Sequence, residues 1–327
     1  MKATAIAHPI QGLVKYHGMR DSDLRLPYHN SISVCTAPSH TKTTVEFNSG
    51  VNSDTFVVDG SELRGRAAER VQVVVDRIRS LSVHDYVDEP VRLESENNFP
   101  SNVGLGSSSS GFAAATRALG DAAELPHMND ELSTVARRGS ASAARAMVGG
   151  FANLYAGMDD WSCHAERIDT PLDDTDIRVI AGVVPAYKET EAAHEEAEDS
   201  HMFQARLAHV HEQLAKMRSA LSDGDFDRVF SIAEHDSLSL AATTMTGPSG
   251  WVYWKPKTLS IFNTVRELRD QSDIPVYFST DTGATVYVNT LAEYADEVED
   301  AVNGCGVDTY RWKVGGGARK VDDDALF

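Results

Sequence analysis

Residues 98–111 read Asn98-Phe99-Pro100-Ser101-Asn102-Val103-Gly104-Leu105-Gly106-Ser107-Ser108-Ser109-Ser110-Gly111 and run directly into the alanine-rich stretch 112–119. Glycines at 104 and 106 let the backbone turn with its N–H groups inward, and a helix starting behind them offers its first unpaired N–H groups to an anion. Ser107, Ser108 and Ser109 add hydroxyls suited to a phosphate or to Mg2+. No Gly-Lys-Ser/Thr closes the loop, so it is not a Walker A loop, and its glycine spacing is not that of a dinucleotide fingerprint. Taken locally, the alternative is a serine-rich turn capping a helix.

Two hydrophobic periods alternate around this loop. Residues 3–14 are small and apolar, interrupted by Pro9, and predict an edge strand leading into a loop. The runs 31–36, 43–47 and 55–58 predict short strands of a sheet built from hairpins. Leu63, Ala67, Val71, Val74, Val75 and Ile78 recur at three and four positions, which predicts a helix over 61–79, followed by a strand at 91–95. A helix from 131 enters a small-residue segment ending near 156, then come a strand at 177–184, an acidic helical stretch over 189–219 and a helix over 226–240. The chain closes as a helix (256–272), strands (276–279 and 285–288), a helix (290–303) and a strand (307–314). That ending suits a small split α/β domain packed on the first, with the boundary near residue 185. Residues 320–327 read as a frayed acidic end.

The 49 Asp and Glu against 30 Lys and Arg leave a formal charge of -19, which disfavours nonspecific binding to nucleic acid or an anionic membrane. The acid is spread along the chain, and the 21 Arg outnumber the 9 Lys, as on the surface of a protein from a high-salt cytoplasm. Cys35, Cys163 and Cys305 are too far apart in sequence to suggest a disulfide framework or a zinc pair, so a reducing compartment is expected. No window approaches twenty apolar residues, so neither secretion nor a membrane span is expected. His201, His209, His211 and His235 lack metal-binding spacing, and no structural metal is expected.

The loop resembles the phosphate loop of the galactokinase, homoserine kinase, mevalonate kinase and phosphomevalonate kinase (GHMP) superfamily. Preceded by Asn97-Asn98-Phe99, it is similar in particular to that of the mevalonate diphosphate decarboxylase family. Four further segments carry the same resemblance in family order. Val14-Lys15-Tyr16-His17-Gly18-Met19-Arg20-Asp21 resembles IKYWGKRD, and Leu26-Pro27 with Asn30-Ser31-Ile32-Ser33 resembles LPxNxSIS. Arg138-Gly139-Ser140-Ala141-Ser142-Ala143-Ala144-Arg145 resembles ARxGSGSACRS, and Ser279-Thr280-Asp281-Thr282-Gly283-Ala284 resembles the family's late aspartate segment. Glu69-Arg70 and its helix look like the family's substrate-arginine helix.

The resemblance implies a two-domain α+β GHMP kinase fold, with a ribosomal protein S5 domain 2-like unit over 1–185 and a ferredoxin-like unit over 186–327. It implies ATP-dependent decarboxylation of a phosphorylated mevalonate, with ATP and Mg2+ as cofactors and a homodimer as the assembly. Asp281 would orient or deprotonate the 3-hydroxyl, Lys15 would stabilise charge there, and Arg145 would hold the carboxylate. Tyr16, Asn30, Ser140 and Ser142 would shape the substrate pocket, and Arg70 would meet the 5-phosphate. Asn98, Pro100, Gly104, Gly106, Ser107, Ser108 and Ser109 would form the nucleotide loop. Without the family, Asp281 reads as a turn residue, Arg145 as a helix-surface charge and Ser140 and Ser142 as backbone caps.

The chain departs from the family at three points. Met19 stands where the family has a second lysine, and losing a cation there favours mevalonate 5-phosphate over the diphosphate, giving isopentenyl phosphate. A KKxVSSTxGM run is replaced by Pro185-Ala186-Tyr187-Lys188-Glu189-Thr190. His17 replaces tryptophan and reads as a pocket-shaping residue rather than an acid or base. The alternatives left open are a diphosphomevalonate decarboxylase, a mevalonate 3-kinase and a binding protein without turnover.

Overall fold

The computed structural model describes every residue except 49, 102, 173–174, 187–193 and 323. The first half contains β1 (Lys2–Ala7), β2 (Ile10–Val14), β3 (Met19–Asp21), β4 (Leu26–Pro27), β5 (Ser31–Ala37), β6 (Thr41–Phe47), β7 (Thr55–Val58), β8 (Ser61–Glu62), α1 (Arg66–Leu81) and β9 (Val91–Asn97). There follow α2 (Ser107–Ala122), α3 (Asn129–Gly139), α4 (Ala143–Val148), β10 (Phe151–Leu154), β11 (Ala165–Arg167) and β12 (Ile177–Val183). The remainder is α5 (Phe203–Asp223), α6 (Phe226–Met245), α7 (Pro256–Ser272), β13 (Val276–Ser279), β14 (Val286–Leu291), α8 (Ala295–Gly304), β15 (Asp308–Val314) and β16 (Arg319–Val321).

One sheet has the order β16-β1-β6-β9-β7-β8. Its core is closed by helices whose apolar residues follow the helical period: Val71, Val74, Val75 and Ile78 of α1, and Ala113, Ala114, Ala118 and Leu119 of α2. The alanines allow α2 to lie close against this sheet, which brings the phosphate-loop end of that helix to its edge. The second sheet runs β11-β10-β5-β15-β12-β14-β13, with β2 also paired to β5, and so takes strands from both ends of the chain. Helices α5 and α6 cover β2 and β5 through Val210, Leu214, Met217, Val229 and Phe230, while α7 and α8 cover β12 to β14.

Three expectations change. Residues 3–14 form two strands in different sheets, and β1 is flanked by β6 and β16, so it is not an edge. β5 and β6 also lie in separate sheets and β7 pairs in parallel with β9, because long-range pairing rather than hairpin closure satisfies their backbones. The acidic end is docked: Thr4 pairs with Val321, Lys42 meets Asp324 at 2.8 Å, and the Leu326 N–H donates to Thr44 Oγ1.

Element boundaries shift as well. The helix expected from residue 61 begins at Arg66 because Ser61 and Glu62 pair with β7. Of the acidic stretch expected over 189–219, residues 189–193 lie outside the described residues, and the regular helix begins at Phe203. Among the described residues, no helix is long and apolar enough to cross a membrane. Because a charge of -19 repels itself, raising KCl from about 0.1 M to about 1 M is expected to raise the thermal midpoint by several degrees, measured by scanning calorimetry.

Candidate active site

Where α2, β2, the α3–α4 turn and the segment after β13 meet, they enclose a cavity of about 460 Å3, within the range of small-molecule sites. Lys15, Tyr16, Arg70, Gly104, Gly106, Ser107, Ser108, Ser109, Ser140, Ser142, Arg145 and Asp281 all line it. Asn30, Asn98 and Pro100 do not. Asn30 Oδ1 instead accepts from the Ala156 N–H at 2.8 Å. Asn98 accepts from the His40 N–H and donates to Pro38 O, anchoring the loop to the β5–β6 connection. Pro100 is exposed on the loop's outer side.

Local chemistry fixes the phosphate loop. Gly106 has φ 80° in the left-handed region, and a Cβ there would come within 3.0 Å of Pro9 and 3.2 Å of Ile10 O, so only glycine fits. Tyr287 Oη donates to Gly104 O at 2.5 Å and Thr285 Oγ1 donates to Val103 O at 2.7 Å, pinning the loop to the second sheet. The Ser109 and Ser110 N–H groups turn back to Gly106 O. Ser109 Oγ also donates to Gly106 O and accepts from the Ile10 N–H, so its hydroxyl serves the loop. Ser107 and Ser108 present the start of α2 to the cavity, and no side chain caps that start.

The same cavity carries the groups expected at the reacting centre. Gly12 has no side chain, and an added Cβ would lie 2.7 Å from Lys15 Cγ and 2.8 Å from Asp281 Oδ1; this bare backbone lets both side chains approach. Asp281 Oδ1 accepts from the Gly12 N–H at 3.3 Å. The segment holding Asp281 is set by Ser279 Oγ donating to Gly12 O and the Thr280 N–H donating to Ser237 Oγ. Arg145 is 3 % exposed, donates through Nη1 to Ser31 Oγ at 2.7 Å, and lies 5.4 Å from the centre of the Tyr16 ring. Its Nε is buried with no hydrogen-bond partner among the described residues, which suits a carboxylate ligand. Burial pulls the Arg145 guanidinium down from its usual value and pushes the Tyr16 phenol up.

Arg25, His194, Arg206, Asp236 and Ser237 escaped the sequence reading, and they join residues it had named. Arg25 lines the cavity and donates through Nε to Arg138 O, while Arg70 donates through Nε and Nη2 to Gly139 O. Consecutive carbonyls at the end of α3 therefore seat two guanidinium groups beside Ser140 and Ser142. Met19 lines the same cavity, and His194 stacks on Tyr16 at 4.9 Å, with His17 edge-on to His194. Beneath Lys15, Asp236 is buried between Lys15 and Arg206, and Ser237 contacts the ammonium. Their signal was a carboxylate on the apolar stripe of α6, four residues before Leu240. Removing one partner from such a buried charge cluster typically costs about 3–5 kcal/mol.

Among the described lining residues, four cations (Lys15, Arg25, Arg70 and Arg145) face one carboxylate (Asp281), which makes a strongly acidic chain locally positive. An uncapped helix start with Ser107 and Ser108, lining the same cavity as the guanidinium groups, fits a nucleoside triphosphate with Mg2+ beside a smaller anion. No group of three or more His, Cys, Asp and Glu forms a metal site among the described residues. The residues 187–190 where the chain departs from the family lie outside the described residues.

The family model for a diphosphomevalonate decarboxylase-like N-terminal domain matches residues 7–165, and that for a mevalonate 5-diphosphate decarboxylase C-terminal domain matches 182–313. Phosphomevalonate decarboxylase of Haloferax volcanii is 64% identical over 100% of both chains. Mevalonate diphosphate decarboxylase of Staphylococcus aureus superposes with a TM-score of 0.91 at 27% identity, covering 98% of each chain. MDDEF in complex with MVAPP, AMPPCP and magnesium gives a TM-score of 0.91 at 26% identity, covering 98% of this chain and 99% of the other. The architecture is the two-domain α+β, GHMP-kinase-like fold of these structures. On the matched domains and the full-length relative, the chain belongs to the diphosphomevalonate decarboxylase-like family.

Proposed function

We propose that this chain catalyses the ATP- and Mg2+-dependent decarboxylation of (R)-mevalonate 5-phosphate to isopentenyl phosphate, CO2, ADP and phosphate. The observation that carries the reading is the meeting of Asp281, Lys15 and Arg145 in one cavity that the phosphate loop also lines. The named activity of the Haloferax volcanii relative supports the same reaction.

Asp281 receives the proton of the 3-hydroxyl while its carboxylate is steadied by the Gly12 N–H. The 3-oxygen then attacks the γ-phosphorus, ADP departs, and Lys15 stabilises the charge on that oxygen. Cleavage of the C3–O bond releases phosphate as the electron pair of the C–COO- bond forms the alkene and CO2 leaves. Arg145, with Ser140 or Ser142, orients the carboxylate. Ser107 and Ser108 with the start of α2 cradle the triphosphate; Mg2+, when bound there, neutralises its charge. Arg70, with Arg25 beside it, receives the 5-phosphate. Tyr16 shapes the pocket; Asn30 and Asn98 contribute from outside it by holding neighbouring backbone. The finer assignments proposed with this function are a ribosomal protein S5 domain 2-like unit over 1–185, a ferredoxin-like unit over 186–327, a homodimer and a cytoplasmic location.

Met19 supports the monophosphate, whereas Arg25 is a cation that could serve a diphosphate. Steady-state assays with mevalonate, its 5-phosphate and its 5-diphosphate separate these readings. The expected result is CO2 and ADP from the monophosphate with the highest kcat/KM, and a shift of at least about 10-fold toward the diphosphate in Met19→Lys. Preference of the wild type for the diphosphate assigns it to that substrate, and ADP without CO2 assigns it as a 3-kinase. Arg25→Ala is expected to raise KM for the phosphorylated substrate about 10- to 100-fold with little change in KM for ATP.

A further inference from the structure

Lys15 is held from both sides of its own backbone as well as at its ammonium. Its N–H donates to Asp236 Oδ2 at 2.9 Å, and its carbonyl accepts from Arg206 Nη2 at 2.7 Å. Lys15 Nζ reaches Ser237 Oγ at 3.1 Å and Asp236 Oδ2 at 3.5 Å. Arg206 Nη2 is also 3.1 Å from Asp236 Oδ1, and its Nη1 donates to Ser239 Oγ at 2.9 Å. Lys15, Arg206 and Asp236 are all at least 95 % buried, so little water screens these contacts. Asp236 does not line the main cavity.

We infer that Asp236, with Arg206 as its strut, is a positioning residue that holds Lys15 charged and aimed at the reacting oxygen of the proposed substrate. The inference rests on the decarboxylase reading above. Two cations on one buried carboxylate leave the cluster with a positive charge, and that charge is directed at the cavity only through Lys15, since Arg206 is spent on Asp236, Ser239 and the Lys15 carbonyl. Ser237 completes the arrangement by linking Lys15 to the Asp281 segment through Thr280. The lysine and aspartate of the reacting centre are thereby set by one helix, α6.

The charged groups facing this cluster are Asp281 from the segment after β13, Arg206 from α5 and His29 from the loop before β5. Burial pulls the Lys15 ammonium below its usual value, and Asp236 is the largest opposing influence. Burial raises the Asp236 carboxyl, but Arg206, Lys15 and the Lys15 N–H outweigh it and hold it below the usual range. His29 is lowered by burial to about 4, so it is neutral at working pH. Without the Asp236 charge, Lys15 loses its proton at lower pH, and the basic limb of the rate profile moves down.

The test compares wild type, Asp236→Asn and Ser239→Ala for CO2 release, KM and pH dependence, with thermal midpoints measured alongside. For Asp236→Asn the expected result is a kcat lower by about 100-fold, KM for both substrates within about 3-fold, and a basic limb shifted to lower pH. Ser239→Ala, which loosens only the Arg206 strut, should lower kcat by about 3- to 10-fold and move the basic limb the other way, to higher pH, because the Arg206 charge opposes that of Lys15. Unchanged kcat and limb in a folded Asp236→Asn overturns the inference. If Asp236→Asn does not fold, Ser239→Ala decides: wild-type kcat and limb there overturn it. If the wild type itself releases no CO2 from any phosphorylated mevalonate, the decarboxylase reading fails rather than the assignment of Asp236.

Discussion

Asp281→Asn is expected to lower kcat for CO2 release by about 10^2- to 10^4-fold, with KM for both substrates nearly unchanged. Asparagine keeps an oxygen that can accept from the Gly12 N–H, and Ser237, Ser279 and Gly12 still hold the Thr280 segment. Shape and binding are preserved while the group that receives the hydroxyl proton is removed. Steady-state kinetics together with a thermal midpoint check this result. Near-wild-type kcat in a folded variant would remove Asp281 from the chemistry and leave it an anchor of the Gly12 turn.

The second large effect falls at Arg145. Arg145→Lys is expected to lower kcat/KM by about 10^2- to 10^3-fold, a loss of about 3–4 kcal/mol in transition-state stabilisation. One ammonium cannot both satisfy Ser31 and present the buried Nε-type donor beside the Tyr16 ring. Because Arg145 is proposed to hold the departing carboxylate, the ratio of CO2 to ADP should also fall below one in this variant. A ratio that stays at one with only KM raised would make Arg145 a binding residue without a part in decarboxylation.

Short-range chemistry made much of this molecule readable. The loop at 104–109 declares itself through glycines that must adopt left-handed backbone and serines that open a helix, and α1 follows from periodicity. The family resemblance supplied Asp281, Lys15 and Arg145; by residue type alone Asp281 reads as a turn residue and Arg145 as a helix-surface charge. All three line the same cavity. What stayed hidden depends on pairing across long sequence separations. Residues 3–14 are apolar throughout, so nothing local shows that β1 and β2 join different sheets. Asp236 lies 221 residues from Lys15 and looks like one more acid in an acidic chain until α6 turns it inward. Arg25 sits in a left-handed turn at φ 53°, a conformation that a β-prone neighbourhood does not announce. Asn98 and Pro100 adjoin the phosphate loop in sequence, yet the backbone turns at Gly104 and Gly106 face the cavity and leave them behind.

The most direct test of the central claim is stoichiometry: purified chain in concentrated KCl with ATP, Mg2+ and (R)-mevalonate 5-phosphate, following CO2, ADP, phosphate and isopentenyl phosphate together. The proposed decarboxylation requires one of each for every substrate molecule consumed. ADP without CO2 and alkene, or no turnover of this substrate while the diphosphate is decarboxylated, would contradict it.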